Sequence, residues 1–225
     1  MHTLLKGAPV RDAIDQDIIS RVELLTKAGN TPKIATFRIG DDDGEKYYEG
    51  AIIKRAGKYG IDCESVVLDE AVSQSDAEEE LVRLNNDDNI DGIIMLMPFP
   101  KGIDGERLRA LLDPAKDIDA ITDASYANLF ANDPNAFYAC TAESCMEILK
   151  FYGVDLKGKQ VTIVGRSMRV GKPLMLMMMN ANATVTVCHT RTTDENLREA
   201  CERADVVVLA TGQIDANSPE LFHDG

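Results

Sequence analysis

Val164-Gly165-Arg166-Ser167-Met168-Arg169-Val170-Gly171-Lys172-Pro173 joins an apolar stretch typical of a strand, Gln160–Val164, to a helical stretch at residues 171–179. Glycine lets backbone N–H groups approach an anion without a clash from a Cβ atom, and the following helix N-terminus offers further N–H groups. This order predicts the phosphate-binding turn of a dinucleotide-binding domain. The spacing departs from Gly-x-Gly-x-x-Gly, because only Gly165 and Gly171 are present, so a tight structural connection remains an alternative.

The end of the next predicted strand indicates which dinucleotide would bind. It reads Cys188-His189-Thr190-Arg191-Thr192 and lacks the carboxylate that accepts hydrogen bonds from a ribose 2′-OH in NAD-binding folds. Hydroxyl groups and Arg191 suit a 2′-phosphate, so the sequence favours NADP. Asp194 lies slightly later and weakens this inference. In the alternative interpretation, residues 190–193 only cap the next helix.

Helical and apolar strand-like stretches alternate along the chain, which predicts an α/β fold with a mostly parallel sheet. In such sheets ligands gather at the carboxyl ends of the strands. The pattern loosens over residues 101–139, which we interpret as a connecting and site-building region. A second unit begins with a helix predicted at residues 141–152 and capped by Thr141. We therefore predict two domains, at residues 1–140 and 141–225. The stretches before residue 101 are helices at 12–27, 46–59 and 75–84 and strands at 34–39, 65–68 and 92–97.

Composition excludes several classes of protein. The chain carries 24 basic and 38 acidic side chains and a formal net charge of −14, which argues against a nucleic-acid partner. Hydrophobic residues make up 44% of the chain, enough for a sizeable core. No apolar stretch approaches the roughly 20 residues of a membrane span, and residues 1–10 carry no export signal. Five cysteines without CxxC spacing and three histidines suggest neither disulfides nor a metal site, and we expect a reducing cytoplasm.

Six segments of the chain together form a recognisable order of motifs. They are LKGAPV at residues 5–10, FRIGDDDGEKYYEGAIIKRAGKYGI at 37–61, DGIIMLMPFPKGID at 91–104, PAKDIDAIT at 114–122, ACTAESCMEIL at 139–149 and VGRSMRVGKPLMLMMMNANATVTVCHTRT at 164–192. In this order they resemble the bifunctional methylenetetrahydrofolate dehydrogenase/methenyltetrahydrofolate cyclohydrolase family. The likeness covers nearly the whole chain, and its specificity lies in the order of the motifs.

The resemblance implies an N-terminal α/β folate-binding domain, a C-terminal Rossmann-like NADP-binding domain, and homodimerisation through the latter. It implies NADP-dependent oxidation of 5,10-methylenetetrahydrofolate to the 5,10-methenyl form, with hydrolysis of that product to 10-formyltetrahydrofolate. The cofactor-binding residues would be Gly165, Arg166, Ser167, Thr190 and Arg191.

On the folate side, the resemblance implies that Tyr48 stacks on the folate and that Asp119 grips the pterin ring. Pro98 would also contact the substrate. The family places its hydrolytic lysine four residues after the tyrosine, where this chain has Ile52. Lys54 lies two residues further, about 200° round a helix from Ile52, and is the candidate proton-transfer group.

Other departures from the family pattern point to a divergent branch. Leu96-Met97-Pro98 stands where the family has Gln-Leu-Pro, and residues 139–142 read Ala-Cys-Thr-Ala instead of Pro-Cys-Thr-Pro. The chain ends at Gly225, before a last strand and helix of the family, so we expect a truncated C-terminus. Two alternatives stay open. One is a folate- or nucleotide-binding protein with impaired catalysis. The other is a shikimate-type reductase, which would need a Lys/Asp pair and lacks support from the motif order.

Overall fold

The computed structural model describes residues 4–211. It divides into two compact units, Gly7–Ser125 and a second unit that joins residues 4–6 to residues 126–211. The division lies 15 residues before the domain boundary predicted at 140/141. In chain order the elements are α1 (Gly7–Lys27), β1 (Lys33–Ile39), α2 (Asp43–Tyr59), β2 (Asp62–Leu68), α3 (Gln74–Asn86), β3 (Gly92–Met95), α4 (Gly105–Leu111), α5 (Asp123–Phe130), α6 (Cys140–Phe151), β4 (Gln160–Val164), α7 (Gly171–Asn180), β5 (Thr184–Cys188), α8 (Asp194–Glu202) and β6 (Val206–Leu209).

The first unit is built on a parallel three-stranded sheet in the order β2-β1-β3. Strand β3 follows β2 in the chain but pairs with β1 on its other side. The order therefore reverses between β1 and β3, and such a point is where ligands bind in open parallel sheets. Phe37 and Ile93 are fully buried at the centre of the core, together with Leu81 and Leu84 of α3.

The second unit repeats this topology in a parallel sheet of order β5-β4-β6, so its reversal lies between β4 and β6. Ile163 of β4 and Leu174 and Met178 of α7 are fully buried. Two Rossmann-like three-stranded sheets confirm the predicted α/β fold. No helix within the described part of the chain has the length and apolar character needed to cross a membrane.

Several details differ from the sequence predictions. Helix α1 begins at Gly7 rather than at residue 12, and β2 begins at Asp62 rather than at residue 65. The region 101–139, predicted as irregular, contains two helices, α4 and α5. Helix α6 begins at Cys140 with Ala139 at the N-cap and no side-chain capping bond, so Thr141 is not the cap. Strand β3 ends at Met95, two residues before the predicted end. The chain end at Gly225 lies outside the described residues.

Candidate active site

Helix α2 carries the predicted tyrosine, and local capping explains where the helix begins. The carboxylate of Asp42 accepts hydrogen bonds from the backbone N–H groups of Gly44 and Glu45, at 2.9 and 3.0 Å. The acidic residues of the first turn stabilise the helix by interacting with the positive end of its dipole. Gly60 ends the helix in the left-handed conformation, with φ at 79°. Tyr48 consequently lies in the second turn of the helix.

Tyr48 and Ile52 share one face of α2 and line the same cavity, which has a volume of about 410 Å³. Ile34 at the start of β1 and Ile118 of the 114–122 segment also line it. Tyr48 is 57% exposed. The walls are mostly aliphatic, and an aromatic side chain contributes to the lining, so this cavity suits a flat apolar ring.

Lys54 lies elsewhere on the same helix. Its side chain is exposed, and it is not among the residues that line the cavity, as expected from its angular distance to Ile52. Arg55, one residue further, does line the cavity. The structure therefore brings Tyr48, Ile52 and Arg55 together and leaves Lys54 outside this group. The sequence reasoning missed Arg55, although its position three residues after Ile52 on a helix was an available signal.

Asp117 stabilises the Lys116-Asp117-Ile118-Asp119 segment and the chain that follows it. This carboxylate is fully buried and accepts hydrogen bonds from the N–H groups of Ile121 and Thr122, at 3.1 and 2.8 Å. It also accepts a bond of 2.7 Å from the hydroxyl of Ser125 in α5. Asp117 thereby fixes the chain that leads into α5.

Lys116 and Ile118 anchor the same segment. The ammonium group of Lys116 donates to the carbonyl groups of Leu84 and Asp87 at the end of α3, at 3.1 and 2.7 Å. Ile118 lines the cavity beside α2. Asp119 follows directly and is half-buried. Asp119 is therefore the chain neighbour of a lining residue, but it is not itself among the residues that line the cavity.

The strand end after β3 carries Leu96 and Pro98. The N–H group of Leu96 donates to the carbonyl of Phe37 in β1 at 2.9 Å, and the side chain is only 3% exposed. Leu96 is therefore part of the core, where the family pattern has a glutamine. Pro98 follows a cis peptide bond and is exposed after the carboxyl end of β3. Pro98 therefore follows the carboxyl end of β3, one of the two strands, β1 and β3, between which the sheet order reverses.

A buried ion pair holds α2 on the sheet, and the sequence reasoning missed it. Glu49 accepts hydrogen bonds from Arg38 at 2.9 Å, Thr36 at 2.7 Å and Ser65 at 2.8 Å. Burial raises the pKa of Glu49, but these three hydrogen bonds outweigh burial and bring its pKa below the ordinary value. Arg38 also donates to the carbonyl of Gly40, so the pair connects the turn after β1 to the helix that carries Tyr48.

In the second unit, the turn between β4 and α7 needs glycine at both predicted positions. Gly165 has φ at 133°, and a Cβ atom there would lie 2.4 Å from the carbonyl oxygen of Ala210. A Cβ atom on Gly171 would lie 2.2 Å from the carbonyl oxygen of Gly165. Both distances are far inside van der Waals contact. The backbone of this turn is packed as closely as a pyrophosphate-binding turn requires.

Arg166 and Ser167 are exposed on this turn. The Ser167 hydroxyl accepts a hydrogen bond of 3.2 Å from the N–H group of Val170, which occupies the N-cap position of α7. Val170 has no side-chain oxygen and makes no capping bond, so an anion bound at this helix end would supply acceptors. The arrangement fits a dinucleotide phosphate.

Thr190 and Arg191 are exposed in the turn after β5, which adjoins β4. Hydrogen bonds within residues 189–192 fix this turn: the N–H of Arg191 donates to Nδ1 of His189 at 3.1 Å, and the N–H of His189 donates to the Thr192 hydroxyl at 2.9 Å. Thr193 caps α8. The capping interpretation is therefore correct for Thr193, whereas Thr190 and Arg191 project from the preceding turn. Within residues 4–211 no cluster of three or more His, Cys, Asp or Glu side chains could hold a metal ion.

Comparison with known proteins gives the same assignment for both units. Residues 5–119 match the catalytic domain of tetrahydrofolate dehydrogenase/cyclohydrolase, and residues 139–225 match its NAD(P)-binding domain. The chain is 41% identical over 225 residues to the bifunctional protein FolD of Clostridium perfringens (strain 13 / Type A), covering 100% of this chain and 80% of that protein.

Solved structures agree with the sequence comparison. The bifunctional FolD enzyme of Campylobacter jejuni superimposes with a TM-score of 0.95 at 29% identity, over 99% of this chain and 78% of that one. A Trypanosoma brucei methylenetetrahydrofolate dehydrogenase-cyclohydrolase, solved with NADP and an inhibitor, gives a TM-score of 0.87 at 30% identity, over 94% and 72% of the two chains. The chain therefore belongs to the tetrahydrofolate dehydrogenase/cyclohydrolase family.

Proposed function

We propose that this chain oxidises 5,10-methylenetetrahydrofolate to 5,10-methenyltetrahydrofolate with NADP, and hydrolyses that product to 10-formyltetrahydrofolate. The observation that carries the proposal is the turn in which Gly171 packs against the backbone of Gly165, in a chain that matches both domains of the family. A cradle that a single Cβ atom would fill is suited to close approach of a phosphate group.

The second unit supplies the cofactor-binding residues. Gly165 shapes the turn, and Arg166 and Ser167 lie on it with exposed side chains. Thr190 and Arg191 would bind the 2′-phosphate, because a hydroxyl and a guanidinium group both donate to phosphate oxygens. When bound, NADP supplies a hydride acceptor.

The first unit supplies the substrate-binding residues. Tyr48 would stack on the folate, Asp119 would accept hydrogen bonds from the N–H donors of the pterin edge, and Pro98 would contact the substrate. The hydride leaves a carbon between two nitrogen atoms, and a nitrogen lone pair stabilises the resulting cation. The oxidation thus needs positioning more than proton transfer, and these residues provide positioning.

Hydrolysis of the methenyl group makes a different demand, because water must be activated and the leaving nitrogen protonated. Ile52 and Leu96 cannot transfer protons, and they occupy the positions where the family has its lysine and glutamine. Lys54 is the proposed proton-transfer group, although its side chain lies outside the cavity beside Tyr48. Homodimerisation through the second unit and a cytoplasmic location remain predictions.

The hydrolytic step can be tested by adding the protein to methenyltetrahydrofolate without cofactor and following its absorbance. Accelerated decay, abolished by Lys54→Ala but not by substitution of the exposed Lys27, would support the proposed role of Lys54. Accelerated decay that survives Lys54→Ala would transfer the role to another group. Decay at the uncatalysed rate would contradict the proposed hydrolysis and leave the dehydrogenase proposal standing.

A further inference from the structure

Four side chains form a continuous stripe along one face of α2: Tyr48, Ile52, Arg55 and Tyr59. Their intervals of four, three and four residues keep them on one face of a helix. All four line the cavity of about 410 Å³ described above, and the remaining lining residues are Ile18, Ile34, Ala51, Ala56, Ile61 and Ile118. Among these described residues Arg55 is the one that carries a charge.

The guanidinium group of Arg55 is held only by long contacts, one of which places it over the Tyr59 ring, 6.0 Å from the ring centroid. Its Nη1 atom lies 3.4 Å from a carboxylate oxygen of Asp15 and 3.4 Å from the hydroxyl of Tyr59, both longer than the roughly 2.7–2.9 Å of a strong charged hydrogen bond. The side chain of Arg55 is 45% exposed. A planar group with five N–H donors thus retains the capacity to bind another acceptor.

Asp15 is already occupied by closer partners. Its carboxylate is buried and accepts hydrogen bonds from the ammonium group of Lys58 and from the hydroxyl of Tyr59. These two donors hold the pKa of Asp15 below its ordinary value. One carboxylate is shared by two cations, so the cluster of Asp15, Arg55 and Lys58 keeps a net positive charge. Of the two cations, Arg55 lines the cavity and Lys58 does not.

We propose that Arg55 binds the glutamate carboxylate of the folate substrate and thereby determines the affinity for glutamate-bearing folates. This inference rests on the proposed function. Arg55 lies seven residues after Tyr48, a rise of about 10 Å along the helix. That distance matches a benzoyl ring beside Tyr48 followed by one extended amino acid. The aliphatic wall contacts the ring, and the guanidinium group receives the carboxylate, which Arg binds through paired hydrogen bonds.

The test compares two substrates and three proteins. The substrates are 5,10-methylenetetrahydrofolate and the matching tetrahydropteroate derivative, which lacks the glutamate. The proteins are the wild type, Arg55→Gln, and the control Lys58→Gln, which also removes a cation from Asp15 but lies outside the cavity lining. We expect Arg55→Gln to raise KM for the glutamate-bearing substrate by roughly tenfold with little change in kcat, and to leave KM for the pteroate substrate unchanged. Lys58→Gln should preserve the preference for glutamate.

Equal KM increases for both substrates in Arg55→Gln, or an unchanged KM for both, would overturn the proposal. If Arg55→Gln does not fold, the wild type decides by itself, since similar KM values for the two substrates would also overturn it. Arg55→Lys retains the charge and should retain part of the preference. Failure of the wild type to oxidise either substrate would instead contradict the proposed function, so the two failures are distinguishable.

Discussion

The substitution Gly171→Ala tests the turn that we assign to NADP. The added methyl carbon would lie 2.2 Å from the carbonyl oxygen of Gly165, 2.6 Å from its carbonyl carbon and 2.9 Å from the Cα atom of Arg166. All three are backbone atoms, so no side-chain rotation relieves the contact. The turn must open by about 1 Å to reach ordinary van der Waals distances.

Opening the turn relieves the strain in the free protein, and cofactor binding then has to close it again. Overpacking of this kind costs roughly 1–3 kcal/mol. Because about 1.4 kcal/mol corresponds to a tenfold change in an equilibrium constant, the Kd for NADP should rise by roughly 5- to 150-fold. Isothermal titration calorimetry of the wild type and the variant with NADP measures this change directly.

Gly57→Ala is the matched control, because it also places alanine at a helical glycine. A Cβ atom at Gly57 meets nothing within 4 Å. Alanine there should leave the Kd for NADP unchanged and stabilise α2 by up to about 1 kcal/mol. Wild-type affinity for NADP in Gly171→Ala would refute the argument that the glycine contact shapes the cofactor site.

Three further predictions follow from the first unit. Glu49→Ala removes the buried counter-ion of Arg38 and leaves only the exposed Asp41 at 4.0 Å. It should lower the free energy of unfolding by about 3–5 kcal/mol in urea titration, whereas a loss below about 1 kcal/mol would mean that water replaces the ion pair. Because the pKa of Glu49 is lowered on folding, its contribution to stability is complete above the ordinary glutamate pKa of about 4.3 and declines as the pH falls through the lowered pKa. The urea midpoint of the wild type should therefore fall in acid more steeply than that of Glu49→Gln. Parallel curves of urea midpoint against pH for the two proteins would contradict this. Ile52→Lys places an amine on the cavity wall beside Tyr48 and should accelerate decay of methenyltetrahydrofolate by at least about tenfold. An unchanged decay rate would show that a lysine at position 52 is not sufficient for hydrolysis.

Elements with strong local signals could be predicted from the sequence. Strand β4 has the predicted bounds, Gln160–Val164, because an apolar run followed by a turn signal is a local property. The strand-turn-helix with Gly165 and Gly171 was predicted for the same reason, and the structure supplies the close backbone contact that makes both glycines necessary.

The helices between residues 101 and 139 could not be predicted in this way. Helices α4 and α5 have seven and eight residues, and helices of that length depend on caps and tertiary contacts. Asp104 caps α4 locally, but the chain entering α5 is held by Asp117, six residues before the helix begins. A contact of this kind appears only once the chain is folded.

The site was predictable where a residue could be matched to a motif and unpredictable where its role depends on a partner. Tyr48 and Asp119 come from the motif order. Arg38 and Glu49 form an ion pair because β1 and α2 pack together and bury both side chains. Arg55 lines the cavity because the cavity lies on its face of α2. Periodicity places residues on a common face but does not say what packs against that face.

Transfer of a labelled hydride tests the central claim most directly. Tetrahydrofolate condensed with dideuterated formaldehyde gives methylenetetrahydrofolate with deuterium on the reacting carbon, and the protein is then mixed with this substrate and NADP. We expect the amount of reduced cofactor to equal the sum of methenyltetrahydrofolate and 10-formyltetrahydrofolate, with one deuterium on each reduced cofactor molecule in the mass spectrum. Absence of reduced cofactor with an intact substrate would contradict it and favour a protein that binds folate without oxidising it.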